Sequence, residues 1–256
     1  MSLLAVQSLT KAFGGVTAID DLTLSIRAGA IHSIIGPNGA GKTTFFNLVT
    51  GIYRPDHGAV SLDGKDITTT PAHGMAALGL SRTFQNLQIF FNMTAAENVQ
   101  VGMHRHCDHR FLPSMLRLPA IVRRDGELAE KAAELMRFVG LADYIGAESD
   151  SMPYGALKRL EIARALAAEP RLLLLDEPAA GLNPAETAEI DALIQKVGET
   201  GVTVVLVEHD MKLVMGVSAH ILVIDNGHLL AQGTGAEIRD NPDVVAAYLG
   251  EEGRNL

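Results

Sequence analysis

The chain has one cysteine, no apolar run as long as a membrane span, no internal repeat, no low-complexity tract and no excess of positive charge. Each shortage excludes a class of protein. Cys107 alone cannot close an intramolecular disulfide, which removes the stapled extracellular scaffolds. The most apolar stretches, Leu172 to Leu175 and Val202 to Val207, fall far short of the ~20 residues a spanning helix needs. Membrane attachment is therefore expected only through a partner. Met1 to Lys11 lacks the basic start, apolar run and small-residue cleavage site of a secretory leader, and the expected compartment is the reducing cytoplasm. With 30 acidic against 21 basic residues, the net charge of -9 opposes long-range attraction to nucleic acid or to an anionic membrane surface. What is present is 256 residues, 47% hydrophobic, enough to bury a full core as one large domain or two intimate lobes.

Three short apolar runs, Ala30 to Ile35, Leu172 to Leu175 and Val202 to Val207, are bounded by Gly, Pro or charge, the pattern of parallel strands buried on both faces. Around Leu22 to Ile26 and Ala59 to Leu62 apolar and polar residues alternate, and Asp63-Gly64 supplies a hairpin turn, which predicts antiparallel edge strands. Leu128, Ala132, Leu135 and Val139 lie at helical spacing within Glu127 to Val139, as do Leu160, Ala163 and Leu166 within Gly155 to Ala167. The expectation is an α/β core with a mainly parallel sheet, an antiparallel β edge, and a helical lobe inserted over 87–163 between the segments 1–86 and 164–256. His104, His106, Cys107 and His109 cluster as zinc ligands can, but their spacing matches no closed four-ligand pattern and reads as an exposed connector. Met103 to Gly126, carrying Arg105, Arg110, Arg117, Arg123 and Arg124 among apolar residues, reads as a surface insertion.

Gly36-Pro37-Asn38-Gly39-Ala40-Gly41-Lys42-Thr43 fits the phosphate-loop pattern G-x-x-x-x-G-K-[ST], with an apolar strand before it and the helical run Thr43 to Val49, including Thr44, after it. Glycines 36, 39 and 41 allow successive N–H groups to point at phosphate oxygens beside a helix N-terminus. Lys42 is expected to reach the β- and γ-phosphates, and Thr43 to offer its hydroxyl to Mg²⁺. The run Leu172 to Leu175 ends in Asp176-Glu177, two carboxylates at the kind of strand tip where α/β sheets bind ligands. Asp176 is expected to hold Mg²⁺ through water, and Glu177 to orient and polarise the attacking water.

Further residues, in order along the chain, resemble the ATP-binding cassette (ABC) transporter ATPases over essentially its whole length. Gln85, in Arg82-Thr-Phe-Gln85-Asn, looks like that family's Q-loop glutamine, which implies contact with Mg²⁺ or water and a link to membrane subunits. Met152-Pro-Tyr154-Gly155 through Ala163-Arg164 resembles the signature helix, whose N-terminus serves the γ-phosphate bound by a second cassette. Ala180-Gly181-Leu182-Asn183 resembles the D-loop, His209 the switch histidine, and Phe13 the aromatic that stacks on adenine. Singly, Gln85 reads as a loop residue, His209 as a satisfied histidine at a strand end and Phe13 as a core aromatic; order and spacing decide between the readings. Two positions depart from the pattern. Pro153 replaces the usual serine and has neither hydroxyl nor N–H, which would cost ~1.5–3 kcal/mol of sandwich stability if that hydrogen bond is not replaced; Asn183 replaces the D-loop aspartate.

Within the family, Arg82-Thr-Phe-Gln-Asn-Leu, Leu160-Glu-Ile-Ala-Arg, Glu177-Pro-Ala-Ala-Gly-Leu-Asn-Pro184 and the tail from Asn241 to Gly250 are similar to the branched-chain amino-acid importers of bacteria. The resemblance implies ATP as the nucleotide, a second cassette that is identical or paralogous, two transmembrane permease subunits, a periplasmic binding protein acting indirectly, and a peripheral place on the cytoplasmic face of the inner membrane. Other classes fit less well. A soluble regulatory cassette ATPase commonly carries two cassettes or a long coiled coil, and this chain has one cassette and no heptad run. A GTPase needs N-K-x-D, and no lysine here follows an asparagine. Export, as in lipid-exporting relatives, keeps the motor and reverses its direction.

Overall fold

The computed structural model describes residues 2–104 and 119–252. Its strands are β1 (Ser2–Phe13), β2 (Val16–Arg27), β3 (Ile31–Ile35), β4 (His57–Leu62), β5 (Lys65–Asp66), β6 (Leu80–Arg82), β7 (Leu172–Asp176), β8 (Thr203–Val207), β9 (His220–Asp225) and β10 (His228–Gly233). They form two sheets, a four-stranded one in the order β2-β1-β4-β5 and a six-stranded one in the order β10-β9-β3-β8-β7-β6. In the larger sheet every pairing is parallel except β9 with β10. The smaller sheet is antiparallel throughout.

The apolar runs become the centre of the larger sheet because each has two buried faces to fill, and the two-residue period of a strand sorts its side chains between them. Leu172 and Leu174 enter one cluster, with Phe45 and Phe46 of the helix Lys42–Val49 and with Leu4, Leu9, Ile19 and Leu22 of the smaller sheet. Their neighbours Leu173 and Leu175 enter the opposite cluster, with Leu160 and Ala163 of the helix Tyr154–Leu166 and Ile190 and Ile194 of the helix Pro184–Glu199. The result is three layers, the parallel sheet between two. The second cluster runs without a break into the helices Ala95–Gly102 and Pro119–Phe138, through Val99, Ala132 and Met136.

The three apolar strands, the Asp63-Gly64 turn and the helix at 155–167 fall where the sequence puts them, within a residue or two. The strand expected around Leu22 to Ile26 starts earlier, at Val16, and is an edge strand as expected. The one at Ala59 to Leu62 instead lies inside its sheet, between β1 and β5, because the alternation that marks a half-buried strand does not distinguish an edge from an interior place. Asp63 and Gly64 both have positive φ (52° and 75°), as a two-residue hairpin turn twisted to match its strands requires. The helix expected from Glu127 begins earlier, at Pro119, a residue suited to a first helical turn because it has no N–H to leave unpaired. Strands β6, β9 and β10 complete the larger sheet. Of the stretch 103–126 read as an insertion, residues 105–118 lie outside the described residues, and His106, Cys107, His109, Arg105, Arg110 and Arg117 with them. No described helix is long and apolar enough to cross a membrane.

Candidate nucleotide site

The chain leaves β3 at a buried strand end and must turn at once into the helix Lys42–Val49. Gly36 makes this possible. Its φ is 153°, and a Cβ there would lie 1.9 Å from the carbonyl oxygen of Ile224 on β9, less than van der Waals contact by more than an ångström. The loop is then braced by the turn between β9 and β10: Gly227 N–H donates to Ala40 O at 3.0 Å, and its carbonyl accepts from Asp20 N–H at 3.1 Å. The helix starts after Gly41, in the left-handed conformation, with no side-chain cap on its N-terminus. That leaves the dipole's positive end for an anion. Lys42 is buried, and its Nζ donates to Gly36 O at 2.5 Å and Pro37 O at 2.8 Å, so the ammonium is held inside the curve of the loop.

Opposite the loop stands the tip of β7. Glu177 is not a glycine yet has φ +48°, a conformation that costs energy for an L-residue and that surrounding bonds must impose. Its N–H donates to Val207 O at 2.9 Å and its carbonyl accepts from Ala180 N–H at 3.1 Å. Both carboxylate oxygens are engaged, Oε1 with His209 Nε2 at 2.7 Å and Oε2 accepting from Gln85 Nε2 at 3.0 Å. Three residues from three separate loops thus meet at one carboxylate, and they line, with Asn38, Gly39, Ala40, Gly41, Lys42, Thr43 and Thr44, a cleft of about 300 Å³. Asp176 is buried and its Oδ2 accepts from Arg82 Nη2 at 2.7 Å.

Two buried carboxylates outside this cleft hold its walls. Burial raises the Glu208 carboxyl above the ordinary carboxylate range, and three backbone N–H groups, those of Ala179, His209 and Asp210, partly offset that rise. Glu208 therefore ties the segment after Glu177 to the segment carrying His209. Glu161, on the helix Tyr154–Leu166, is likewise raised by burial, and it accepts from Phe84 N–H at 3.4 Å. Lys158 Nζ, one turn earlier on that helix, reaches Gln85 O at 3.4 Å. The backbone on either side of the Gln85 side chain is bound to that helix.

Not every expected residue joins the cleft. Phe13 stands at the end of β1, 42% exposed, with its ring edge-on to Tyr53 at 5.2 Å and Lys11 Nζ 5.4 Å from its centre. Tyr154 and Gly155 open the helix Tyr154–Leu166, away from this chain's cleft; Tyr154 Oη lies 3.4 Å from Ala180 O, and Gly155 packs against the Glu186 carboxylate. Pro153 caps that helix with no side-chain hydrogen bond. Two residues that shape the site have no role assigned from the sequence: Arg82, which appears there only inside a motif, and Glu208. Neither carries a local signal: the partners of Arg82 and Glu208 are brought to them only by the fold.

A glycine turn leading from a parallel strand into an uncapped helix, facing an acidic tip two strands away across β8, defines the phosphate-loop nucleotide hydrolases. Within that class the chain belongs to the ABC transporter family, whose profile matches residues 19–180. A second profile, described as branched-chain amino acid ATP-binding cassette transporter, matches residues 228–254. The chain is 49% identical over 250 residues to the high-affinity branched-chain amino acid transport ATP-binding protein BraF of Pseudomonas aeruginosa, covering 97% of this chain and 98% of that one. It is 44% identical over the same span and coverage to LivG of Salmonella typhimurium, which carries the same description. Among solved structures, an ATP-binding cassette of an ABC transporter in its ADP conformation superposes with a TM-score of 0.85 at 31% identity, covering 98% of this chain and 99% of that one.

Proposed function

We propose that this chain is the ATP-hydrolysing subunit of an importer of branched-chain or related amino acids, acting at the cytoplasmic face of the bacterial inner membrane. The observation that carries the motor reading is the meeting of Gln85, Glu177 and His209 across a cleft from Lys42 and Thr43. The profile match at 228–254 and the printed names of BraF and LivG support the cargo class. In this reading the loop Gly36–Gly41 and the helix behind it cradle the triphosphate, Lys42 turns its Nζ from the loop carbonyls to the β- and γ-oxygens, and Phe13 stacks on adenine.

The residues present fit Mg²⁺. Thr43 supplies a hydroxyl, Gln85 an amide oxygen and Asp176 a carboxylate, all hard oxygen donors and too few to strip the ion of its water. When bound, the cation supplies neutralisation of the charge that builds on the phosphate oxygens. Glu177 orients and polarises the attacking water, Gln85 and His209 hold Glu177 and line the path of the γ-phosphate, and the strained backbone at Glu177 fixes the direction of attack. Tyr154 and Gly155 serve the nucleotide of a second cassette, identical or paralogous, so ATP closes a pair that neither chain completes alone. Moving that pair from 1:99 to 99:1 closed requires ~5.5 kcal/mol of differential ATP binding. Two permease subunits receive the closure, and a periplasmic binding protein delivers cargo to them.

The test is purification of the complex with its membrane subunits, reconstitution in vesicles, and measurement of leucine uptake against ATP hydrolysis. Uptake that requires ATP and is abolished by Lys42→Ala is the expected outcome. Hydrolysis that drives lipid release instead, or that proceeds unchanged in Lys42→Ala, would sink the import or the motor reading respectively.

A further inference from the structure

Thr43 and Asp176, two of the three side chains read as cation ligands, belong to different elements, and something must fix the distance between them. Thr43 lies on the helix Lys42–Val49, whose C-cap is Thr50. Asn47 and Thr50 follow Thr43 at spacings of four and seven, so all three share one helix face. A single guanidinium spans from that face to the tip of β7. Arg82 Nη1 donates to Asn47 Oδ1 at 2.6 Å and to Thr50 Oγ1 at 3.2 Å, while Nη2 donates to Asp176 Oδ2 at 2.7 Å. The side chains of Arg82 and Asp176 are 6% and 4% exposed, and the Phe46 and Phe84 rings flank the guanidinium at 5.3 and 5.0 Å. Its Nε is buried without a hydrogen-bond partner.

We propose that Arg82 is a positioning residue for the cation: its rigid fork sets the gap between Thr43 and Asp176 and commits one Asp176 oxygen, so that the other reaches the ion through water. A buried ion pair is weak grounds for stability, because desolvation offsets the attraction, and an unpaired buried Nε adds a further cost. The arrangement is better explained by what it holds in place. Arginine is required because only its planar fork addresses the helix and the carboxylate together; lysine offers one point charge. Arg82 is also three residues before Gln85 and two before Phe84, so the same side chain anchors the segment that carries the glutamine of the site.

This inference rests on the reading of Thr43 and Asp176 as Mg²⁺ ligands, and the experiment separates the two. ATP affinity of the full chain is measured by equilibrium dialysis without metal and across a Mg²⁺ titration, with no hydrolysis needed as readout. For the parental protein Mg²⁺ is expected to tighten ATP binding. In Arg82→Gln, metal-free ATP affinity stays within about twofold, while the Mg²⁺ concentration giving half the effect rises about tenfold, the scale found when a group supporting a metal ligand is lost. Arg82→Lys falls between. An unchanged Mg²⁺ midpoint in Arg82→Gln, or an equal loss of metal-free and Mg²⁺-dependent binding, overturns the proposal. A parental protein indifferent to Mg²⁺ overturns the underlying ligand assignment and the proposal with it. If Arg82→Gln does not fold, the double variant Asn47→Ala/Thr50→Val removes both helix partners of the fork and leaves the Arg82–Asp176 pair; a midpoint raised about threefold supports the spacing role and an unmoved one refutes it.

Discussion

Replacing Glu177 by glutamine separates the two jobs the structure gives this side chain. As a carboxylate it accepts from His209 Nε2 at 2.7 Å and Gln85 Nε2 at 3.0 Å. The amide has the same shape and keeps one acceptor, which can stay on Gln85, while its new N–H₂ faces His209. That contact survives if the imidazole moves its proton to Nδ1, because Nε2 then accepts. At most one hydrogen bond is lost, worth ~0.5–1.5 kcal/mol, so the loop, Lys42 and the ATP affinity should be nearly unaffected.

Chemistry is different, because an amide cannot take a proton from water. Removing a positioned general base costs ~10²–10⁴ in rate, equivalent to ~3–5.5 kcal/mol of barrier. The assay pairs two measurements on Glu177→Gln: the ATPase turnover in the assembled transporter, and, for the isolated subunit, ATP affinity with the dimer fraction by gel filtration in the presence of ATP. Expected are a turnover reduced at least ~100-fold and a nucleotide affinity within about threefold, with the cassette dimer accumulating. A fall of less than about tenfold would mean that another group polarises the water, and would refute the role derived from the strand tip.

Two further outcomes follow from the geometry around the site. In Gly36→Ala the new Cβ meets Ile224 O at 1.9 Å and the backbone keeps φ near 153°, so strain plus overpacking of β9 should cost ~2–5 kcal/mol and lower Tm by about 5–15 °C; a drop under about 2 °C on a thermal scan would contradict the close approach. His32 on β3 is fully buried, with Nε2 3.1 Å from Arg27 O and Nδ1 unpartnered, and burial lowers its pKa, the hydrogen bond to the Arg27 carbonyl offsetting part of that fall. The unfolded chain therefore takes a proton below pH ~6.5 that the folded chain refuses, and stability contributed by this residue is complete above that pH and declines as pH falls, by up to ~1.4 kcal/mol per unit. Urea unfolding of the parental protein and His32→Phe at pH 7 and 5.5 checks this; equal pH slopes in both would rule it out.

The phosphate loop was legible because its chemistry leaves no other residues to choose: a turn that brings Gly36 against Ile224 O admits only glycine, and a lysine held inside the loop must follow at once. The strands β3, β7 and β8 were legible for a similar reason, since short runs buried on both faces are mostly apolar, with His32, Ser33, Thr203 and Asp176 as their buried polar members. Strand β10 was not, because its residues are mostly half-buried, and neither was β6, three residues long, whose place in the sheet is decided by β7 beside it. The same limit hid Arg82 and Glu208. Nothing local marks an arginine that answers Asp176 from 94 positions away, or a glutamate that serves Ala179 from 29. Such roles are made by tertiary contact, and only a folded chain displays them.

Those contacts also say how movement of the helix Tyr154–Leu166 must reach the chemistry. Gln85 is held by its side chain to Glu177, by its carbonyl to Lys158, and through the neighbouring Phe84 N–H to Glu161. Lys158 and Glu161 are both nearly fully buried, 3% exposed each, so neither can follow a displacement by stretching into solvent. If the helix shifts relative to the parallel sheet, Gln85 must either travel with it and leave Glu177, or stay and break two bonds to buried charged groups. Leaving Glu177 costs one hydrogen bond, whereas staying breaks two, one at a buried carboxylate and one at a buried ammonium, which costs more. The segment therefore moves with the helix, and the position of the helix decides whether Glu177 has Gln85 beside it.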